Sequence, residues 1–215
     1  MNENELMSRL PVPKAVAKKA IPSLSSRLLT VAYNKADTFF VGQTGDPLQV
    51  AAVSLTNPIL ILFMAFANMF GTGGSAAASM AMGEKNEKRM KQVSAFVTYA
   101  SLVVGVALAV ILMVFMTPVL NMFGANEQTF LYAKGYTFHI AYGAPFIIWS
   151  AAVSFVVRAE GASKEAMIGS MIGTVANIVL DPVLISGMGM GAVGAAVATT
   201  IGNILAGIYY QRYFL

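Results

Sequence analysis

Six stretches of this sequence stay apolar for about 20 residues or more, near 15–42, 48–82, 92–118, 127–157, 165–187 and 191–212. That is the length an α-helix needs to cross the hydrocarbon core of a bilayer. Within that core the backbone has to satisfy its own hydrogen bonds, so a spanning segment of this length is a helix. The chain is therefore read as all-α, a polytopic membrane protein with six spans. Composition agrees: 57% of the 215 residues are hydrophobic and 11% are charged, where a soluble domain carries about 25% charged residues. The second stretch is too long for a straight crossing and has to tilt, kink or project. Pro58 and the run GTGGS (71–75) are its candidate kink sites.

Charge placement sets the orientation. Eleven of the fourteen Lys and Arg lie in the amino-terminal arm, in the segments 83–92 and 158–166, and at Arg212. The intervening loops near 42–48, 119–126 and 187–191 hold none. This alternation is the positive-inside pattern, with both termini cytoplasmic. It also accounts for the net charge of +4 without a nucleic-acid partner. Residues 1–14 read as a cytoplasmic arm, with no cleavable leader expected, and 15–215 as one transmembrane lobe in a multi-pass inner-membrane protein.

Ionisable groups in membrane helices are costly and usually face a cavity or a partner. In the first stretch Ser23, Arg27, Thr30, Asn34 and Asp37 recur at helical spacing and make one polar stripe. Arg27 or Lys35 neutralising Asp37 in a static pair is the plainer reading. In the fifth, Ser170, Thr174, Asn177 and Asp181 share a face, and Pro182 deprives the Ile178 carbonyl of its helical donor. A carboxylate, an amide oxygen and a freed carbonyl within one turn suit a hard cation or a proton relay. A Pro kink beside a hydrogen-bonded Asp is the alternative.

Other polar groups carry weaker signals. Asn57 and Asn68 in the second stretch are either substrate contacts or interhelical glue. The fourth carries Tyr136 and His139 among aromatics, where His139 reads more readily as structural than as a proton carrier. Gly169 and Gly173, with the Gly/Ala-rich sixth stretch (191–207), point to close packing of the fifth and sixth helices. Thr199 and Asn203 are the polar residues on that packed face.

Motifs for enzymatic chemistry are missing. There is no cysteine, and no H-E-x-x-H, P-loop or G-x-S-x-G appears. The chain is expected not to be an enzyme and to need no cofactor.

In order and spacing, AYNKADTFFVGQTGD, VAAVSLTNP, GTGGSAAASMAMGEKN, RAEGASKEAM and NIVLDPVLISGMGMGAVGAAVAT together resemble the amino-terminal half of multidrug and toxic compound extrusion (MATE) transporters, DinF-like branch. The resemblance covers roughly residues 15–212. It implies one six-helix lobe of a twelve-helix transporter that exports cationic and amphipathic drugs against inward proton or sodium flux. A second lobe, either a carboxy-terminal half or another copy, and membrane lipid are the implied partners. It further implies that Asp37, Asn177, Asp181 and Thr199 bind the coupling ion, with sodium at the Asp37/Asp181 network as the one metal expected. Asn34, Asn57, Asn68, Tyr136 and His139 are assigned to the substrate cavity. Some relatives also carry an Asn late in the fourth helix, where this chain has Ser150 and Ser154. A flippase for lipid-linked precursors or a polysaccharide exporter of the same superfamily is the alternative function. A non-transporting membrane scaffold is the other class considered.

Overall fold

The structure is a computed structural model that describes residues 21, 24, 39–43 and 45–214. Asn34 and Asp37, and most of the first predicted span, lie outside the described residues. The described part contains helices and turns and no strand. Residues 39–42 are helical, and from residue 47 on the helices are α1 (Pro47–Gly83), α2 (Glu87–Val114), the short α3 (Met116–Met122), α4 (Glu127–Ala159), α5 (Ser163–Asp181) and α6 (Ala192–Phe214). A π-helical turn, Pro182–Gly187, extends α5. Five helices are long and apolar enough to cross a membrane, counting α5 with its π turn.

Three helix starts have a local side-chain cap. The Asp46 side chain accepts from the Leu48 N–H at 2.9 Å and Pro47 follows it, a favourable first helical position. Asn86 caps α2 through the Arg89 N–H at 3.0 Å. This cap corrects the loop expected over 83–92: Lys88, Arg89 and Lys91 lie in the first turns of α2. Asn126 and Thr129 form a reciprocal capping box at the start of α4. The third predicted span also changes. It breaks at Phe115, and residues 116–122 form the separate α3. Neither Pro58 nor the 71–75 run interrupts α1. At about 1.5 Å per residue its 37 residues reach roughly 55 Å, well beyond a bilayer core of about 30 Å, so tilt or projection takes up the excess.

The lobe is built around α4. In its most apolar window 67% of residues are buried, against 28% for α1 and 22% for α5 with its turn. Ile59, Phe63 and Ala67 of α1 pack on Tyr136, Ile140 and Ile148 of α4, and Ala192, Ala195 and Ala196 of α6 complete that cluster. Lipid tails are as apolar as these side chains, so close van der Waals packing holds the helices together. Small residues make it close: a Cβ on Gly105 would sit 2.4 Å from the Pro145 Cα. The outward-facing Phe96, Val103, Ile111 and Leu131 are the surface such a lobe turns to acyl chains.

The far end from the basic segments has its own tie. Gln49 Oε1 accepts from the Ala192 N–H at 2.9 Å, so α1 caps the start of α6. Gly191 passes directly beneath with φ +55°, and a Cβ there would strike the Gln49 carboxamide. Gln49→Ala is expected to cost about 1 kcal/mol by freeing that N–H, read as a lower unfolding temperature in detergent.

Candidate functional site

The fifth and sixth helices meet through backbone. A Cβ on Gly173 would lie 2.8 Å from the Gly202 carbonyl oxygen, and one on Gly202 would lie 2.6 Å from that of Gly173. The tyrosine ring of Tyr210 covers Gly169, and its hydroxyl donates to the Ala166 carbonyl at 3.1 Å. This confirms the close α5–α6 packing expected from the glycines. It also sets the site, because Asn177 is one turn beyond Gly173 and so reaches across to α6.

Asn177 and Asp181 are both buried, 2% and 0% exposed. In one orientation of its amide, Asn177 donates to Thr199 Oγ1 at 3.3 Å. In the other it donates to Asp181 Oδ2 at 3.0 Å and accepts from the Thr199 N–H at 3.0 Å. The second orientation satisfies both ends of the amide and links all three residues across the helix pair. Three of the four residues assigned to ion binding are thus brought together, and the fourth, Asp37, lies outside the described residues. Pro182 ends the α-helix directly after Asp181. The chain continues as a π turn closed by the Met188 N–H on the Val183 carbonyl at 2.8 Å. Such turns recur at functional sites because they displace carbonyls from the regular ladder. Carboxylate, amide and hydroxyl oxygens are donors for a hard cation, not for a soft metal.

A cavity of about 920 Å³ runs beside this cluster. Asn57 and Asn68 of α1, Tyr136 of α4, Asn177 of α5 and Thr199 of α6 all line it. Asp181 is not among the lining residues and communicates with the cavity through Asn177. His139 is not a lining residue either, and its Nδ1 bonds the Gly135 carbonyl at 2.8 Å on its own helix.

Two lining features escaped the sequence reading. Ser150 donates to Asn203 Oδ1 at 2.7 Å, and Asn203 Nδ2 donates back to the Thr199 carbonyl at 2.9 Å. The serine position and Asn203 were both visible, but their pairing across 53 residues was not. Arg158, read as a loop charge, is in the last turn of α4 and lines the cavity. Nothing in its sequence context separates it from the neighbouring basic residues.

The MatE family model matches residues 22–183. The chain is 35% identical over 201 residues to the multidrug export protein MepA of Staphylococcus haemolyticus (strain JCSC1435), covering 94% of this chain and 44% of that protein. It is 32% identical over 205 residues to MepA of Staphylococcus aureus (strain NCTC 8325 / PS 47), covering 95% and 46%. It thus spans a little under half the length of these relatives. A solved structure described as the outward-facing conformation of a multidrug resistance MATE family transporter of the MOP superfamily matches with TM-score 0.90 and 26% identity, over 99% of this chain and 47% of its own. An inward-facing conformation of such a transporter matches with TM-score 0.79 and 28% identity, over 84% and 41%. The family match covers most of the sequence and the helical lobe superposes on solved members: the chain belongs to the MatE family of multidrug and toxic compound extrusion proteins.

Proposed function

We propose that this chain is the amino-terminal lobe of an exporter of organic cations and amphipathic drugs, driven by inward flow of protons or sodium ions. The observation that carries this is the fully buried Asp181 carboxyl, joined through Asn177 to Thr199 and so to the wall of a large cavity. A carboxyl withdrawn from water is held with a proton or beside a cation, because the bare charge is costly to bury. Loading and unloading that carboxyl therefore changes which helix arrangement is favoured. Binding alone moves nothing; only a difference in affinity between inward- and outward-open states does.

In this reading Asp37 is the fourth member of the ion-binding set, and binding of the ion changes which arrangement of the helices is favoured. Asn177 and Thr199 supply neutral oxygens, while Asn34, Asn57, Asn68 and Tyr136 contact the drug. The π turn after Asp181 is the compliant element that lets α5 shift. A second six-helix lobe completes the cavity, and the protein resides in the inner membrane with both termini in the cytoplasm. The names of the matched relatives favour drug export over the lipid-linked alternative.

Proteoliposomes holding the two-lobed transporter test this. Ethidium efflux is followed under a proton gradient and a sodium gradient imposed separately. The expected result is efflux driven by one gradient and collapsed by dissipating it. Efflux indifferent to both gradients refutes ion coupling. Movement of a lipid-linked sugar without drug movement refutes the substrate class.

A further inference from the structure

A second cavity, of about 450 Å³, lies away from the α5–α6 site, at the end of the lobe that carries the basic segments. It is enclosed by the first turns of α2, the turn after α4 and the last turn of α6. Its polar groups come from all three. Ser94 Oγ donates to Glu160 Oε1 at 2.9 Å, and the Tyr213 hydroxyl lies close to that carboxyl. Gln211 also lines the cavity. Lys91 is exposed on α2, one turn before Ser94 on the same face. Tyr99, 70% exposed, extends the wall toward lipid.

We propose that this cavity binds a protonated primary amine carried beside a phosphate, the headgroup chemistry of phosphatidylethanolamine. The Glu160 carboxyl is the acceptor this cavity offers, and an ammonium brings N–H donors to it. The Glu160 carboxyl is half-buried, and burial pushes it above the usual carboxylate range despite the two hydroxyls that oppose this. An ammonium beside it offsets that cost, and the rings of Tyr99 and Tyr213 offer it π faces. Lys91, at the mouth, is placed for the phosphate. The acceptors are inside and the cation is outside, which matches a zwitterion entering amine first. Choline lacks N–H donors for the Glu160 carboxyl, and a glycerol headgroup brings no positive charge. The cavity is large enough for a small ligand. Tyr99 both lines the cavity and is exposed on the lipid side, which suits a headgroup still attached to its tails. The inference needs only the membrane placement of the lobe, and is independent of whether the protein exports drugs.

The test is lipid retention by the intact protein, measured by native mass spectrometry after titration with phosphatidylethanolamine, phosphatidylcholine or phosphatidylglycerol. Soluble phosphoethanolamine is added in a further arm. The expected result is retention of the ethanolamine lipid about tenfold above the choline lipid, the discrimination that charge-assisted hydrogen bonds provide. Glu160→Gln should abolish that preference, and Lys91→Ala should weaken retention of both lipids. Lys91 is exposed, so Lys91→Ala and Lys91→Glu remain informative if Glu160→Gln impairs folding. Phosphoethanolamine competing as well as the lipid would identify a soluble amine phosphate as the ligand source. Equal retention of choline and ethanolamine lipids overturns the proposal, as does a preference that survives the substitutions.

Discussion

Asp181→Asn is expected to cut gradient-driven drug efflux by about tenfold or more, equivalent to at least about 1.4 kcal/mol on the limiting step, while the protein still inserts and folds. The substitution keeps the shape of a fully buried side chain and removes its capacity for charge. An asparagine can still accept from Asn177, so the link to Thr199 is retained in outline. Replacing a buried charge by a neutral group of similar volume is often tolerated or stabilising, so the unfolding temperature should stay level or rise. Lost transport with retained stability separates ion coupling from a merely structural role, which would lower both together. Asn177→Ala should behave differently. It removes the bridge, not the carboxyl, and costs stability by about 0.6 kcal/mol, the average for a polar contact between membrane helices. If Asp181→Asn pumps at the wild-type rate under every gradient, the coupling ion does not pass through this carboxyl.

What could be read beforehand divides along the range of the interactions. The long apolar stretches locate α1, α4 and α6 within about two residues at each end, because span length is a property of contiguous residues. The Asn177–Asp181–Pro182 cluster was equally legible, since one turn of one helix holds it. Boundaries set by single side chains were less so. The Asn86 cap moves three basic residues from a loop into α2, and the chain breaks at Phe115 within an uninterrupted apolar stretch. Contacts between helices were least legible. The glycine stripe announces that α5 has a close neighbour, but the register that sets Gly173 on Gly202 depends on both helices at once. The same holds for Ser94 and Glu160, 66 residues apart, and for the Gln49 cap on α6. Arg158 shows the limit most plainly. Its charge places it on the basic side of the membrane, but only the fold turns it toward the cavity.

Gly202→Val is expected to disable both the packing and the site. Its Cβ would lie 2.6 Å from the Gly173 carbonyl oxygen, closer than nearly any real contact. The obstacle is backbone and has no rotamer to escape into, so α5 and α6 have to separate by about 1 Å. Overpacking of this kind costs about 1–3 kcal/mol, read as a lower unfolding temperature in detergent. The separation acts next on Asn177, whose Cβ is 3.5 Å from the same added carbon. Its contacts with Thr199 are at most 3.3 Å in either amide orientation, and a further 1 Å or so takes them beyond hydrogen-bond range. Efflux should therefore fall even where the variant is held below its unfolding temperature. Gly202→Ala should show the same two effects at smaller size, because the first carbon already makes the contact. Gly73→Ala is the control: a Cβ there meets nothing within 4 Å, and alanine favours a helix over glycine, so stability should hold or rise. Should Gly202→Val melt and pump like the wild type, the close backbone approach is not what presents Asn177 to Thr199, and the site needs another scaffold.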